Sequence, residues 1–372
     1  MTGTLDVARL RDETPGCASG AHFNHAGASL PNAATVAAVT GHLRHEALHG
    51  AMEAAAGAGG TIAAARADAA VLLGAAADEV AFTTSGSAGF GLAFAALPKL
   101  RAGDRILVGR QEWGGNLATM RAAADRAGAG VEEIPCRDDG SVDPDALAAM
   151  IDDRVRLVSL TWLPANGGLV NDAAAVGRVA RGAGVPYFVD AGQALGQMPV
   201  DVGAIGCDVL AGAGRKYLRG PRGTALLYVR SGFAERLDPA FLDVQSAPWS
   251  GTGPARRTDA RLFEMAETPV ALLLGLAVAL SQARSIGADA IRQRIRHLAD
   301  GLRAQLAGIA GVTVRDLGTE RSGLVSFTLD GMEAQDLRER LAPKGCASAR
   351  TACPTRRSTW RRGGSARSSA PR

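Results

Sequence analysis

The run Asp208-Val-Leu-Ala-Gly-Ala-Gly-Arg-Lys216-Tyr-Leu-Arg-Gly-Pro-Arg-Gly-Thr224 sets one lysine between a glycine-rich approach and a Gly-Pro-Arg-Gly exit, with a strand-like segment at each end. The only other lysines are Lys99 and Lys344, and arginine supplies nearly all the remaining cationic charge. A lysine in so cramped a setting points to chemistry, because an ammonium can lose its proton and act as a nucleophile, which a guanidinium does not. Upstream, Val185-Pro-Tyr-Phe-Val-Asp190-Ala-Gly-Gln193 reads as a buried strand that ends in a carboxylate. Open α/β sheets bind ligands at that carboxyl edge, although a carboxylate that merely caps the next turn reads the same way. Earlier still, Phe82-Thr-Thr-Ser-Gly-Ser-Ala-Gly89 reads as a strand, a small-residue turn and then a helix over 90–97. Backbone N–H groups at such a helix start form an anion site; a plain tight turn is the alternative.

Around these stretches the chain alternates. Residues 35–56 and 61–73 are helix-like, and short apolar segments recur at 80–83, 105–108, 131–134, 157–160, 187–189, 209–210 and 224–229. Helix-length stretches at 116–127, 144–150 and 172–182 separate several of them. Strands alternating with helices predict an α/β fold: a mostly parallel, seven-stranded sheet covered by helices. Beyond residue 250 the pattern changes to helices at 270–286 and 289–309, strands at 312–315 and 323–329, and a helix at 334–341. The expected division is an N-terminal arm over 1–20, a large domain over 21–250, a smaller α+β domain over 251–345, and a distinct tail over 346–372.

The tail explains the charge. The chain of 372 residues has 41 basic and 37 acidic side chains, a formal +4, yet seven arginines and no acidic residue lie in 346–372. Without them the balance is 34 against 37, so the body is mildly acidic. A folded basic surface for nucleic acid is not expected. The longest apolar run, 270–280, is too short to span a bilayer, the first twenty residues lack a secretion-signal pattern, and the five cysteines show neither CxxC spacing nor a paired framework. These features predict a cytoplasmic protein with reduced thiols and no membrane partner. His42, His45 and His49 share a helix-like segment with no cysteine or aspartate cluster, so no metal site is expected.

A phosphate cradle, a carboxylate for a pyridinium nitrogen and a Schiff-base lysine are the groups that a pyridoxal phosphate enzyme needs. The chain has no Gly-Lys dipeptide, which excludes a Walker-type loop. From about residue 23 to 345 the sequence resembles fold type I pyridoxal phosphate enzymes of the class V aminotransferase group, which includes cysteine desulfurases and isopenicillin N epimerase-like proteins. Asn24-His-Ala-Gly-Ala-Ser-Leu-Pro31 matches the family's opening segment near the substrate. The resemblance implies that Gly86, Ser87 and Ala88 bind the cofactor phosphate and that Trp113, in Gln111-Glu-Trp-Gly-Gly-Asn116, stacks on the ring. It implies Asp190 at the ring nitrogen, Gln193 at the ring hydroxyl, and Lys216 as the Schiff-base residue. Thr268, after Phe263-Glu264, matches a threonine that reaches the phosphate of a neighbouring subunit, implying a homodimer with composite sites.

Departures from the family pattern are equally legible. Ala213 stands where a hydroxyl is usual and Arg215 where a histidine often precedes the lysine; Arg215 either supplies phosphate charge or is structural. Trp113 can stack but cannot carry a proton. The segment Pro164-Ala-Asn-Gly-Gly-Leu-Val170 resembles the loop near the ring hydroxyl, with Asn166 one position out of register. A desulfurase needs a cysteine on a loop of the second domain, and only Cys346 and Cys353 are candidates, neither in a recognisable motif. The expected activity is therefore amino-acid chemistry of the aminotransferase, epimerase or C–S lyase type. A cysteine desulfurase or selenocysteine lyase is one alternative, and a truncated, catalytically impaired cofactor binder is another. The second arises because residues 346–372 contain no Leu, Ile, Val, Phe, Met or Tyr, where relatives carry an arginine for the substrate carboxylate. A reading-frame shift near Gly345 accounts for that composition; a genuine basic tail that binds an acidic partner is the other reading.

Overall fold

The computed structural model describes residues 5–348. A short helix, α1 (Val7–Asp12), and a two-residue strand, β1 (Ala21–His22), lead into two long helices, α2 (Ala33–His49) and α3 (Ala51–Leu73). The sheet follows: β2 (Val80–Thr83), β3 (Arg105–Val108), β4 (Gly130–Glu133), β5 (Val155–Thr161), β6 (Tyr187–Asp190), β7 (Val209–Ala213) and β8 (Ala225–Val229). Their spatial order is β2-β8-β7-β6-β5-β3-β4. Only β8 runs against its neighbours, so the sheet has the seven strands and the mostly parallel sense that the sequence predicts.

The helices between strands are α4 (Gly86–Ala95), α5 (Gly114–Ala127), α6 (Pro144–Met150), α7 (Ala173–Gly182) and α8 (Val202–Ile205). They cover both faces, and the two-residue period of the strands sorts the core into two layers. Leu157, Phe188 and Val209 pack with Phe90 and Phe94 of α4 and Met120 of α5. Their chain neighbours Val158, Val189 and Leu210 pack on the other side with Ala69 and Leu73 of α3 and Val176 of α7. Phe188 is fully buried, edge-on to Phe90 at 5.8 Å and to Phe233 at 6.2 Å; truncating such a side chain to alanine costs about 3–5 kcal/mol.

After β8 comes a small hairpin, β9 (Trp249–Ser250) with β10 (Gly253–Pro254), and then α9 (Val270–Ile286). The helix expected at 270–286, which carries the longest apolar run, is α9. It packs against α2 and α3, and its Leu273, Leu276 and Leu280 join the core layer of Val158 and Val189. At Gly287, whose φ is +88°, the chain turns by 82° into α10 (Ala288–Ala307). An antiparallel pair, β11 (Val312–Val314) with β12 (Phe327–Leu329), is followed by α11 (Ala334–Leu341) and β13 (Cys346–Ala347), which pairs in parallel with β1. Among the described residues no single helix is long and apolar enough to cross a membrane.

Three local expectations change. The helix expected over 35–56 is interrupted at Gly50, whose φ of +93° is open to glycine and ends α2 before α3 begins. The helix expected at 90–97 begins at Gly86, because Ser85 caps it with its hydroxyl on the Ala88 N–H at 3.0 Å. Gly86 and Ser87 are thus the first turn of α4. The strand expected over 323–329 is ordered as a strand only at Phe327–Leu329.

Candidate active site

Three chain segments meet at the carboxyl ends of β5, β6 and β7. Strand β6 ends at Asp190, whose Oδ1 accepts the Gly192 N–H at 2.8 Å and whose Oδ2 accepts Asn116 Nδ2 at 2.9 Å. Strand β7 ends at Ala213, and the tight turn after it carries Lys216. A methyl group on Gly192 would stand 2.9 Å from Asp190 Oδ1 and 3.3 Å from Lys216 Nζ, so the carboxylate and the amine flank one bare backbone position. The lack of a side chain there is what lets both approach. Lys216 Nζ also lies 5.9 Å from the centre of the Trp113 ring.

Burial draws the Lys216 amine below its ordinary proton affinity; Asp190 opposes that shift and Arg215 adds to it. A lowered proton affinity makes the amine a readier nucleophile at the carboxyl edge of the sheet. The turn that carries it is braced from outside. Arg219 has a left-handed φ of +64° and donates to the Leu30 carbonyl at 3.1 Å, while the Arg215 carbonyl accepts the Ser29 N–H at 2.9 Å.

The first turn of α4 packs beside the end of β7: a methyl on Gly86 would lie 3.6 Å from Gly212 C and 3.8 Å from Ala213 N. The Trp113 indole N–H donates to Ser87 Oγ at 3.3 Å and ties the first turn of α4 to the start of α5. Trp113 is 46% exposed, a large apolar face open beside Lys216. Gln193 is buried, donates to the Ala26 carbonyl at 3.1 Å, and has an Oε1 with no hydrogen-bond partner among the described residues. A buried, unpaired acceptor calls for a donor from a ligand.

These features fit pyridoxal phosphate: an amine beside a carboxylate, a capped helix start for a phosphate, an open aromatic face and an acceptor free for a ring hydroxyl. The structure thus brings Gly86, Ser87, Ala88, Trp113, Asp190, Gln193 and Lys216 into one region. Thr268 lies at the approach to α9, half-buried, with its carbonyl accepting the Val270 N–H at 2.9 Å. It makes no hydrogen bond to that group among the described residues.

Sequence reading passed over Glu112 and Asn116, which lie behind Asp190. Glu112 Oε1 accepts Thr161 Oγ1 at 2.8 Å and the Trp113 N–H at 2.9 Å, and Oε2 accepts Ser159 Oγ at 2.8 Å. Burial, and then the charge of Asp190, push its carboxyl up to about 7. A signal was present: Glu112 and Asn116 are four residues apart, and the buried 157–161 stretch of β5 carries two hydroxyls, Ser159 and Thr161.

The sheet order and the lysine–aspartate pair at its carboxyl edge define the architecture of fold type I pyridoxal phosphate enzymes. It is similar to that of C-DES, solved with glycine covalently linked to its pyridoxal phosphate cofactor, at a TM-score of 0.84 and 24% identity over 91% of this chain and 90% of that one. The cysteine desulfurase CsdA from Escherichia coli is similar at a TM-score of 0.83 and 25% identity, covering 93% and 88%. The chain belongs to the class V aminotransferase family, whose model matches residues 22–351. A probable cysteine desulfurase of Xylella fastidiosa (strain 9a5c) is 33% identical over 256 residues, 68% of this chain but only 61% of that protein. A probable hercynylcysteine sulfoxide lyase of Mycobacterium tuberculosis is 33% identical over 322 residues, 86% of this chain and 78% of that protein.

Proposed function

We propose that the protein is a pyridoxal phosphate-dependent enzyme that cleaves the C–S bond of a sulfur-containing amino acid, with Lys216 as the covalent attachment point of the cofactor. The observation that carries this reading is the amine of Lys216 beside the Asp190 carboxylate across the bare backbone of Gly192. The long alignment with the sulfoxide lyase relative supports the C–S bond as the target. When bound, the cofactor supplies a sink for the electrons released at the substrate Cα.

The residues divide the remaining work. Lys216, with its proton affinity lowered by burial, provides the amine for attachment and afterwards moves the Cα proton. Asp190, oriented by Gly192 and Asn116, holds a proton on the ring nitrogen. The N–H groups of Gly86 and Ser87 at the start of α4 receive the phosphate. Trp113 covers the ring and excludes water, and Gln193 Oε1 accepts from the ring hydroxyl. A homodimer in which Thr268 of one copy completes the phosphate site of the other is part of the proposal. Phe241, Val244 and Trp249 are 54%, 73% and 79% exposed, large apolar side chains of the kind such a contact covers.

Reconstituted protein is expected to turn yellow with pyridoxal phosphate, and Lys216→Ala to abolish that chromophore and to reduce turnover by about a thousandfold or more. With S-substituted cysteines and their sulfoxides, lyase action and hydrolysis yield pyruvate and ammonia, with the sulfur group leaving as a thiol or a sulfenic acid. A desulfurase, the reading favoured by the Xylella relative, yields alanine from cysteine instead. The absence of a chromophore in the parent protein would sink the cofactor assignment. A chromophore that no amino acid perturbs would leave a non-catalytic binder. The expected reading-frame shift and the basic tail concern residues that lie mostly outside the described ones, with 349–372 beyond them.

A further inference from the structure

Behind Asp190, on the side away from Lys216 and Gly192, one buried amide joins two carboxylates. Asn116, in the first turn of α5 and only 1% exposed, directs Nδ2 to Asp190 Oδ2 at 2.9 Å and to Glu112 Oε1 at 3.2 Å. An amide nitrogen has two hydrogens, so this contact uses both and fixes the amide plane. Glu112 is itself held by Ser159, Thr161 and the Trp113 N–H. We propose that Glu112, acting through Asn116, is a positioning residue that fixes the orientation of Asp190 and sets the negative charge behind it. This rests on the pyridoxal phosphate reading of the site.

Packing alone does not account for the arrangement. Burying a carboxylate is costly unless its oxygens are fully paired, and here two hydroxyls of β5, a main-chain N–H and an amide are all committed to one side chain. An apolar residue of the same size fills that space without them. The charged and titratable groups facing Glu112 are Asp190 and Tyr187, both from β6; Tyr187 donates to the Ala173 carbonyl at 3.1 Å. Thr161, Ser159 and Asn116 are neutral, so no cation sits between the two carboxylates. Whenever Glu112 is ionised, its charge makes a proton harder to remove from any base bound to Asp190. Its titration near neutral pH makes that support conditional on pH.

The test is a pH titration of the absorbance of cofactor-loaded protein, together with cofactor loss on dialysis. E112Q keeps the size of the side chain and removes the charge. Its spectral midpoint is expected to fall by about one pH unit, while E112D keeps the charge and stays close to the parent midpoint. Asn116→Ala removes the bridge and is expected to release cofactor about tenfold faster; it also answers for orientation should E112Q not fold. A parent-like midpoint in E112Q together with parent-like retention in Asn116→Ala overturns the proposal. A parent protein that takes up no cofactor overturns the underlying reading instead, and that result is visible before any variant is made.

Discussion

At the residue scale, environment turns ordinary side chains into specialised ones. Lys216 and Asp190 are legible in the sequence because their types and settings are rare: few lysines, and a carboxylate ending an apolar strand. Glu112 is hardly so, since glutamate is common and only its four-residue spacing to Asn116 and the hydroxyls of a distant strand hint that this one is buried. Its consequence for stability can be measured in the apoprotein. The carboxyl is held at about 7 against an ordinary 4.5, so between those values the native state keeps a proton that the unfolded chain has released. With the unfolded state binding fewer protons, this contribution is full below about pH 4.5 and is lost as pH rises towards about 7. E112Q is expected to flatten that part of the melting-temperature profile, by calorimetry across the same window. An unchanged slope would mean that Glu112 does not titrate there.

At the element scale, capping and close approach decide where structure begins and how near elements come. The strands at 80–83 and 105–108 were legible because apolar, β-branched segments between breakers have few other uses. The break between α2 and α3 was not, because Gly50 lies among alanines with good helix propensity and only its backbone angle ends the helix. Gly177 marks a tighter constraint: a methyl group there would lie 1.8 Å from the Ile205 carbonyl oxygen. Helix α7 thus meets α8 backbone to backbone. Gly177→Ala is expected to destabilise the fold by about 3 kcal/mol, read from urea unfolding. A loss within a few tenths would show that α7 can shift away freely.

At the scale of the whole molecule, Arg303 of α10 organises the region after the sheet. It donates to Asp316 Oδ2 at 2.7 Å and to the Ser322 and Leu324 carbonyls at 2.7 and 2.9 Å. Asp316 accepts the Ser326 N–H at 2.7 Å, and the next residue, Leu317, donates its N–H to the Gly167 carbonyl in the loop after β5. One buried ion pair therefore holds the β11–β12 region against a loop that leaves the candidate active site. Arg303→Met leaves Asp316 buried and unpaired, and about 3–5 kcal/mol of stability is expected to go with it, measured by denaturant unfolding. A neutral outcome would place the cohesion of this region in its apolar contacts.

The sequence by itself determined the alternation of strands and helices, the family resemblance and the candidacy of Lys216 and Asp190, because these depend on local pattern and residue type. Tertiary structure alone decided the strand order, the single antiparallel strand β8, and the convergence of Ser87, Trp113, Asp190, Gln193 and Lys216 from distant parts of the chain. It alone placed Glu112 and Asn116 behind Asp190. The physical reason is that burial and neighbouring charge arise only when separate elements pack, and those two quantities set what a carboxylate or an amine can do.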